Sequence, residues 1–274
     1  MAVALVFSVP AESQTPLPSS PFTYADMADL ALPVPVVVHV RVARSARLKG
    51  ADAATVPAGK ARFYVEADIV SLIKGPSGLS PKVVYLADLP VDAAARAPKL
   101  ARKSEHILFA SPVAGRPGEL RLAAPDAQIA WSAPDAERVR AILRDAARAD
   151  APPRISGLGR AFHVPGTLPG ESETQIFLQA ADGRPVSLSV LRRPGEQPRW
   201  AVALAEIVDD AAGPPARDSL LWYRLACTLP SALPSQSLAD ADTAQANAIR
   251  ADYRLVIDRL GPCARNRALG RLPG

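Results

Sequence analysis

The sequence predicts an α+β fold that is mostly β: a small β-barrel domain, a second domain built on an antiparallel β-meander, and C-terminal helices. Three observations support this fold class. Short β-branched runs separated by glycine and proline recur over the first 130 residues. Later runs are separated by the turn pairs Asp182-Gly183 and Pro194-Gly195. Apolar residues recur at helical spacing between 240 and 260.

The first predicted domain covers residues 21–150 and begins with a short helix. Thr23-Tyr-Ala-Asp26 has the form of a capping box, which predicts a helix at 24–31 that ends before Pro33. A helix that begins near Pro134 and carries Val139 and Ile142 on one face closes the domain. Strands are predicted between these helices at 36–47, 62–73, 82–86, 106–111, 119–122 and 128–131.

Ala151-Pro-Pro153 is the predicted domain boundary because consecutive prolines interrupt helices and sheets. The antiparallel β-meander is expected at 154–210, and C-terminal helices packed on this second domain at 216–265. Its strands are predicted at 154–164, 174–180, 185–192 and 199–208. Its helices are predicted at 219–229, where the alternation would also allow a strand, and at 240–260, ended by Gly261-Pro262.

Residues 1–20 are interpreted as a signal-like or disordered N-terminal arm. An apolar start is followed by Ala11-Glu12-Ser13, a small-x-small pattern typical of signal cleavage, although no lysine or arginine precedes Arg41. We therefore expect a periplasmic or secreted protein whose mature chain begins near Gln14. The alternative is a proline-rich arm on a cytosolic protein. No run approaches the ~18–20 apolar residues of a membrane helix, so no transmembrane segment is predicted.

Cys227 and Cys263 also bear on whether the protein is exported. They form no Cys-x-x-Cys pair and have no neighbouring histidine, which argues against a metal site or a redox motif. In an exported protein, an even pair of cysteines predicts one disulfide. Two buried thiols in a cytosolic core are the alternative.

The segments that resemble a known family are the long strand at 36–47, RFYVEADIVSLIKGP at 62–76, and then VVYLADL, ILFAS and ELRLA before a closing helix. Residues 34–148 thereby resemble an OB-type barrel of the netrin-module kind. The cysteines usual in that family are absent here, so the resemblance implies a fold and no inhibitor role. Through 152–192 and the LLWYRLAC…LGPC end, the chain also resembles uncharacterised exported proteins of proteobacteria, which implies no activity.

Composition and motifs favour binding over catalysis. With 49% hydrophobic and 22% charged residues, the chain is not a disordered polar protein. It contains no Gly-x-Ser-x-Gly nucleophile motif and no glycine-rich phosphate loop. The three histidines have no ligand partner at metal-binding spacing, so neither a metal nor a cofactor is predicted.

The loop at 162–173 is the one candidate catalytic segment. It carries His163, Glu171 and Glu173 between glycines and prolines, and a histidine beside a carboxylate can perform general acid–base chemistry. A hydrolase acting on envelope material through this loop is therefore an alternative function. The simpler interpretation is an ordered connection whose prolines and glycines set its turns.

A basic stretch is the candidate anion-binding region. The stretch contains several cationic residues and one acid, Asp52, so it carries a local positive charge that would attract polyanions. In a regular strand the side chain of Arg44 would point to one face, and those of Arg41 and Arg47 to the other. All three could therefore act on the same face only if a β-bulge interrupted the alternation. The basic residues are Arg41, Arg44, Arg47, Lys49, Lys60 and Arg62.

Nucleic acid is disfavoured as the partner, because single-strand binding needs stacking aromatics and only Phe63, Tyr64 and Tyr85 are available. We therefore expect an exported, non-catalytic binding or structural protein whose partner is an envelope protein or an anionic polymer. A nucleic-acid-binding OB protein stays the second alternative to the hydrolase.

Overall fold

A closed five-stranded β-barrel, a second antiparallel sheet and C-terminal helices make up the computed structural model, which confirms the predicted fold class. The structure describes residues 21–94, 96, 100–204 and 213–267. The predicted N-terminal arm at 1–20 and the end of the last predicted strand, 205–208, lie outside the described residues.

The helices are α1 (Tyr24–Ala31), α2 (Ala133–Ala147), α3 (Leu220–Ala226) and α4 (Thr243–Leu260). The strands are β1 (Val36–Arg47), β2 (Lys60–Lys74), β3 (Lys82–Pro90), β4 (Glu105–Pro112), β5 (Glu119–Leu122), β6 (Gln128–Ala130), β7 (Ile155–Pro165), β8 (Ser172–Ala180), β9 (Val186–Arg192) and β10 (Arg199–Ala203).

Most boundaries agree with the sequence-based prediction, and the differences have local causes. β3 extends past 86 to Pro90 because its end pairs with the start of β2, where Pro90 lies opposite Lys60. The last helix begins at Thr243 and not at 240, because Asp242 and Gln245 form a capping box there. The helix predicted at 219–229 ends at Ala226, and Cys227 is its C-cap.

The barrel closes through the order β1–β2–β3–β5–β4, with β4 pairing back to β1. The β3–β5 pairing is parallel, whereas the other barrel pairings are antiparallel. Side chains alternate inward and outward along each strand, so Val38, Val40, Phe63, Val65 and other apolar residues fill the interior. The barrel therefore has its own core.

Helices α1 and α2 cover part of the outer barrel surface. Thr23 and Asp26 form the predicted capping box at the start of α1. Val139 and Ile142 on α2 and Val37 on β1 belong to one buried apolar cluster. The first half of β1 is buried on both faces for this reason, and its consecutive valines follow from that environment.

The second sheet has the order β10–β9–β8–β7, and all its pairings are antiparallel. Its inner face packs against α4 through Ile176 and Leu188 on the sheet and Ile249 and Val256 on the helix. This apolar cluster is the same one that contains residues of α1, α2 and β4. The predicted boundary at 151–153 thus falls between α2 and β7, whereas the apolar packing continues across it.

The predicted disulfide between Cys227 and Cys263 is present, with the two Cα atoms 5.1 Å apart. It joins the end of α3 to the residues after α4. Gly261 ends α4 with a φ of +69°, a conformation that glycine adopts without steric cost. Trp222 Nε1 donates to the carbonyl oxygen of Leu260 at 2.8 Å, so α3 and α4 are also joined by a buried hydrogen bond.

The segment after Cys263 returns to the first half of the chain. The Nδ2 of Asn266 donates to the carbonyl oxygen of Pro21 at 2.9 Å, and the Oγ1 of Thr23 donates to that of Ala264 at 3.0 Å. Burial opposes ionisation of Asp26, but hydrogen bonds from the backbone of Asn266 and Thr23 hold the pKa of this carboxyl below its usual value. The C-terminal segment is thereby fixed to the start of α1.

Candidate functional site

A groove of about 600 Å³ lies on the outer surface of the barrel, across β2, β3 and β5. We call it the barrel groove. Its lining combines apolar and charged side chains, and it continues along the connections that flank β5. Its main lining residues are Arg62, Tyr64, Val84, Leu86, Asp88, Arg116, Glu119 and Arg121.

Strand alternation explains which residues face this groove. On β2, Ala61, Phe63 and Val65 are buried in the barrel core, so Arg62 and Tyr64 point outward. Val83 and Tyr85 of β3 are likewise buried in that core, so Val84, Leu86 and Asp88 lie on the outer side. The groove therefore uses the side of each strand that the core does not.

The connection between β4 and β5 lies beside the groove, and Gly118 sets its path. Gly118 has a φ of +83°, and a Cβ at this position would lie 3.2 Å from the carbonyl oxygen of Lys82. Its own carbonyl accepts a 2.8 Å hydrogen bond from the Val84 N–H. This close backbone contact favours glycine and positions Arg116 and Glu119 at the edge of the groove.

Two of the three cations in the groove are paired. Arg62 binds Asp88 with two hydrogen bonds of 2.7 and 2.8 Å, and this pairing raises the pKa of its guanidinium. Arg116 lies 3.2 Å from Glu119. The exposed side chain of Arg121 forms no hydrogen bond or ion pair with the residues that the structure describes. Within the described part of the chain, Arg121 is thus an unpaired guanidinium in the groove.

The unpaired guanidinium lies in the same groove as an apolar strip. Tyr64 and Val84 are partly exposed, and Leu86 is 47% exposed, a large fraction for a leucine on a regular strand. Side chains of this kind can bind a partner that presents both an apolar and an acidic group.

The predicted basic stretch is divided between two sides of β1. The register shifts between Val42 and Arg44, so Arg41 lies opposite Asp68 and Arg44 opposite Glu66, both on the outer side. Arg47 lies opposite the inward-facing Phe63. The bulge therefore places two of the three strand arginines together and separates the third.

Acidic residues from neighbouring strands pair with Arg41, Arg44 and Arg62 of the predicted cations. Arg41 binds Glu105 at 2.7 Å and lowers the pKa of that carboxyl, with His39 contributing. Arg44 pairs with Glu66, and Arg62 pairs with Asp88. Lys49 is exposed and Lys60 partly so. The positive charge of this stretch is therefore smaller in the fold than its sequence indicates.

The prediction of a loop over 162–173 is wrong at both ends, because β7 and β8 pair there and place His163 and Glu173 in strands. The three candidate side chains are not joined by a common hydrogen-bond partner. The Nδ1 of His163 lies 2.8 Å from the Thr174 hydroxyl. The carboxylate of Glu171 instead accepts hydrogen bonds from the backbone N–H groups of Thr167 and Leu168, at 3.1 and 3.3 Å. Glu173 is exposed and lies next to the buried Thr174, so strand alternation places its side chain on the other face of the sheet.

His163 belongs instead to a hydrogen-bond chain that reaches the buried Asp252 of α4. The Thr174 hydroxyl donates to Asp252 Oδ2, and Arg192 donates to Asp252 Oδ1 at 2.7 Å. Since the Thr174 proton points to Asp252, we assign the Nδ1 proton of His163 to its bond with Thr174. The Nε2 atom is then a hydrogen-bond acceptor. The spacing within the loop gave no indication of Asp252 and Arg192, which lie 89 and 29 positions from His163.

His39 also has partners that sequence analysis missed. Its Nε2 lies 2.9 Å from Glu105 Oε2, and its ring stacks on Trp131 with centroids 4.8 Å apart. The cluster depends on strand pairing: β4, which begins at Glu105, pairs with β1, and β6, which Trp131 follows, pairs with β4. The carboxylate of Glu105 is shared with Arg41, which makes the cluster a structural clamp between β1 and β4.

Two of the three aromatics that nucleic-acid binding would require are unavailable. Phe63 and Tyr85 are buried in the barrel core, which also raises the pKa of the Tyr85 hydroxyl. Tyr64 and Tyr85 both line the groove, but of these two only the Tyr64 side chain is partly exposed. Among the described residues, no three His, Cys, Asp or Glu side chains are grouped to hold a metal ion. Within the same part of the chain, no helix combines the length and apolarity of a membrane span.

Comparisons of the sequence with models of known protein families and with curated proteins found no match.

Proposed function

We propose that this protein is an exported, non-catalytic binding protein that holds an acidic segment of an envelope protein in the barrel groove. The observation that carries the proposal is the unpaired Arg121 beside an exposed apolar strip in a groove of about 600 Å³. An acidic side chain would pair with Arg121, and apolar neighbours would cover Val84 and Leu86. A carbohydrate polymer has no aliphatic side chains for that strip, so a polypeptide fits the groove better.

The disulfide supports the proposal that the protein is exported. Disulfides persist in oxidising compartments such as the periplasm and are rare in the cytosol. N-terminal sequencing of the protein from its own host tests export, with a start near Gln14 expected. Cytosolic material that retains Met1 would contradict it.

Site-specific photocrosslinking in the host tests the binding site. A photoreactive residue at Leu86 should capture one protein partner, and a photoreactive residue at Val164, which is exposed on the second sheet, should not. Arg121→Glu should abolish the adduct by reversing the charge, whereas Arg154→Glu, an exposed arginine outside the groove, should not. An adduct that survives Arg121→Glu would refute the proposed site, and a purely carbohydrate adduct would refute a protein partner.

A second candidate function, hydrolysis of envelope material, is favoured by one observation. The hydrogen-bond chain from Arg192 through Asp252 and Thr174 orients His163 with Nε2 as an acceptor, the form that a general base requires. Purified protein should then release soluble fragments from isolated envelopes, and His163→Gln should not. Equal release by both proteins, or release by neither, would eliminate this candidate.

A further inference from the structure

A second groove, of about 590 Å³, lies between α2 and the ends of α1 and β2. We call it the α2 groove. None of its described lining residues also lines the barrel groove. The described residues that line it are all aliphatic or cationic: Leu32, Ile73, Leu143, Ala146, Ala147, Lys74, Arg140 and Arg144.

The contribution of α2 follows from helix periodicity. Arg140, Leu143, Arg144 and Ala147 are spaced i, i+3, i+4 and i+7, so they form one stripe along the helix. The buried residues of α2, including Val139, lie on a neighbouring stripe that faces the core. Within the groove stripe, Leu143 is partly buried and packs against the edge of that core, whereas Arg144 and Ala147 are exposed.

Lys74 carries an unusual ammonium group. Its Nζ donates to the carbonyl oxygens of Ala31 and Leu32, at 3.3 and 3.2 Å, at the end of α1. An ammonium has three N–H donors, and the third meets no partner among the described residues. Burial lowers the pKa of Lys74, and no carboxylate of the described residues forms a salt bridge with it. An anion in the groove would stabilise this charge.

The two arginines share a single acid. Arg144 Nη2 lies 2.6 Å from Glu137 Oε1, and Arg140 Nη1 lies 3.9 Å from Glu137 Oε2. Lys74 and these arginines give three positive charges against one negative charge. The groove is thus aliphatic and carries an excess of two positive charges.

We propose that the α2 groove binds a single-chain amphiphile with a carboxylate headgroup. The alkyl chain would contact Leu32, Ile73 and Leu143, and the carboxylate would accept hydrogen bonds from Lys74 and Arg140. The groove volume falls within the ~300–1,000 Å³ typical of small-molecule sites. Its lining of eight residues is small for a protein interface, which typically involves about 20–30 residues a side.

Calorimetric titration of the full-length protein with dodecanoate and dodecanol tests the proposal. The two probes have the same alkyl chain, and only the first carries a charge. We expect dodecanoate to bind at least tenfold more tightly than dodecanol. The absence of dodecanoate binding, or equal affinity for both probes, would overturn the proposal.

Four variants locate the site. Ala147→Trp should fill the groove and weaken dodecanoate binding at least tenfold, and Ala147 is exposed, so the core is not disturbed. Lys74→Gln should reduce the preference for dodecanoate over dodecanol. The surface double variant Arg140→Gln/Arg144→Gln should also reduce the preference for dodecanoate over dodecanol, and it leaves the hydrogen bonds of Lys74 to the end of α1 intact. Arg148→Gln is the matched control, because Arg148 pairs with Asp150 and does not line the groove.

A thermal transition recorded for each variant separates loss of binding from loss of folding. If Lys74→Gln does not fold, the surface double variant decides the role of charge. Unchanged dodecanoate affinity in folded Ala147→Trp would place the amphiphile elsewhere and overturn the proposal. The dodecanoate measurements do not test the barrel groove, because its partner is tested separately through Leu86 and Arg121.

Discussion

Arg267 and Asp126 form a bidentate ion pair between the C-terminal segment and the turn that follows β5, with N–O distances of 2.7 and 2.8 Å. The Arg267 side chain is 2% exposed, so almost all of its hydration is lost on folding. The pair links residues 141 positions apart and connects the C-terminal end of the described chain to the barrel domain.

Asp126→Ala should destabilise the protein by about 3 kcal/mol, because it leaves the Arg267 guanidinium buried without its acid. The double variant Asp126→Ala/Arg267→Met should recover most of this loss, since the buried charge is then removed as well. Urea unfolding of the two variants and the parent measures the difference. A double variant no more stable than Asp126→Ala would show that the pair itself supplies stability.

Replacing Cys227 and Cys263 together by serine should lower the free energy of unfolding by roughly 3–4 kcal/mol, the chain-entropy value for a loop of this length. The last helix should become sensitive to protease, because a terminal helix frays unless it is tied down. Thiol titration of the denatured, unreduced parent is the direct check and should detect no free thiol. Two free thiols would contradict the bridge.

The barrel fragment 21–150 should unfold cooperatively, since the barrel contains an apolar core of its own. Its melting temperature should be lower than that of the full chain, because Met27, Val139 and Ile142 would lose part of the cluster they share with the second sheet and α4. Differential scanning calorimetry of fragment and full chain gives both quantities. A fragment without a transition would mean that the two halves form one folding unit.

His106 should make stability depend on pH. Burial lowers the pKa of His106 below its ordinary 6.5 in the folded protein, so the unfolded chain binds a proton more readily. Its contribution to stability is therefore complete above about pH 6.5 and is lost as the pH falls through the folded-state pKa. Denaturation midpoints of the parent and His106→Gln at pH 7.5 and 5 test this. The variant should lose less stability on acidification, and identical losses would contradict the assignment.

Thr174→Val should destabilise the protein by about 2 kcal/mol, because it keeps the shape of the side chain but leaves Asp252 Oδ2 and His163 Nδ1 without a buried partner. Thr174→Ser retains the hydroxyl and is the matched control. The ¹⁵N chemical shifts of His163 should report an Nδ1–H tautomer in the parent and in Thr174→Ser. An Nε2–H tautomer in the parent would reverse the proposed direction of the hydrogen-bond chain.

Local chemistry made most of the elements predictable from sequence. The capping box at Thr23 and the β-branched run after Val36 determine structure within a few residues, and both elements have the predicted bounds. The partners of the basic stretch were not predictable in the same way. Glu66 and Glu105 become neighbours of Arg44 and Arg41 only through strand pairing, and bulges in β1 set that register.

The barrel groove could also be predicted only in part from the sequence. Alternation along β2 and β3 already indicates that Tyr64 and Leu86 share the outer side. It does not indicate that β5 joins β3 in parallel and brings Arg121 into the same groove. Contacts between strands that are distant in sequence depend on topology, which one sequence does not specify.

The hydrogen bonds of Asn266 to Pro21 and of Thr23 to Ala264 place the first and last described residues side by side. A circularly permuted protein, joined from 267 to 21 by a short glycine linker and opened at the exposed Asp182-Gly183 turn, would keep every strand pairing of both sheets. The hydrogen bonds that hold α1 against the C-terminal segment would then lie within one continuous stretch of backbone. In such a permutant the closing contacts become local and form early in folding, whereas in the present order they join the most distant parts of the described chain.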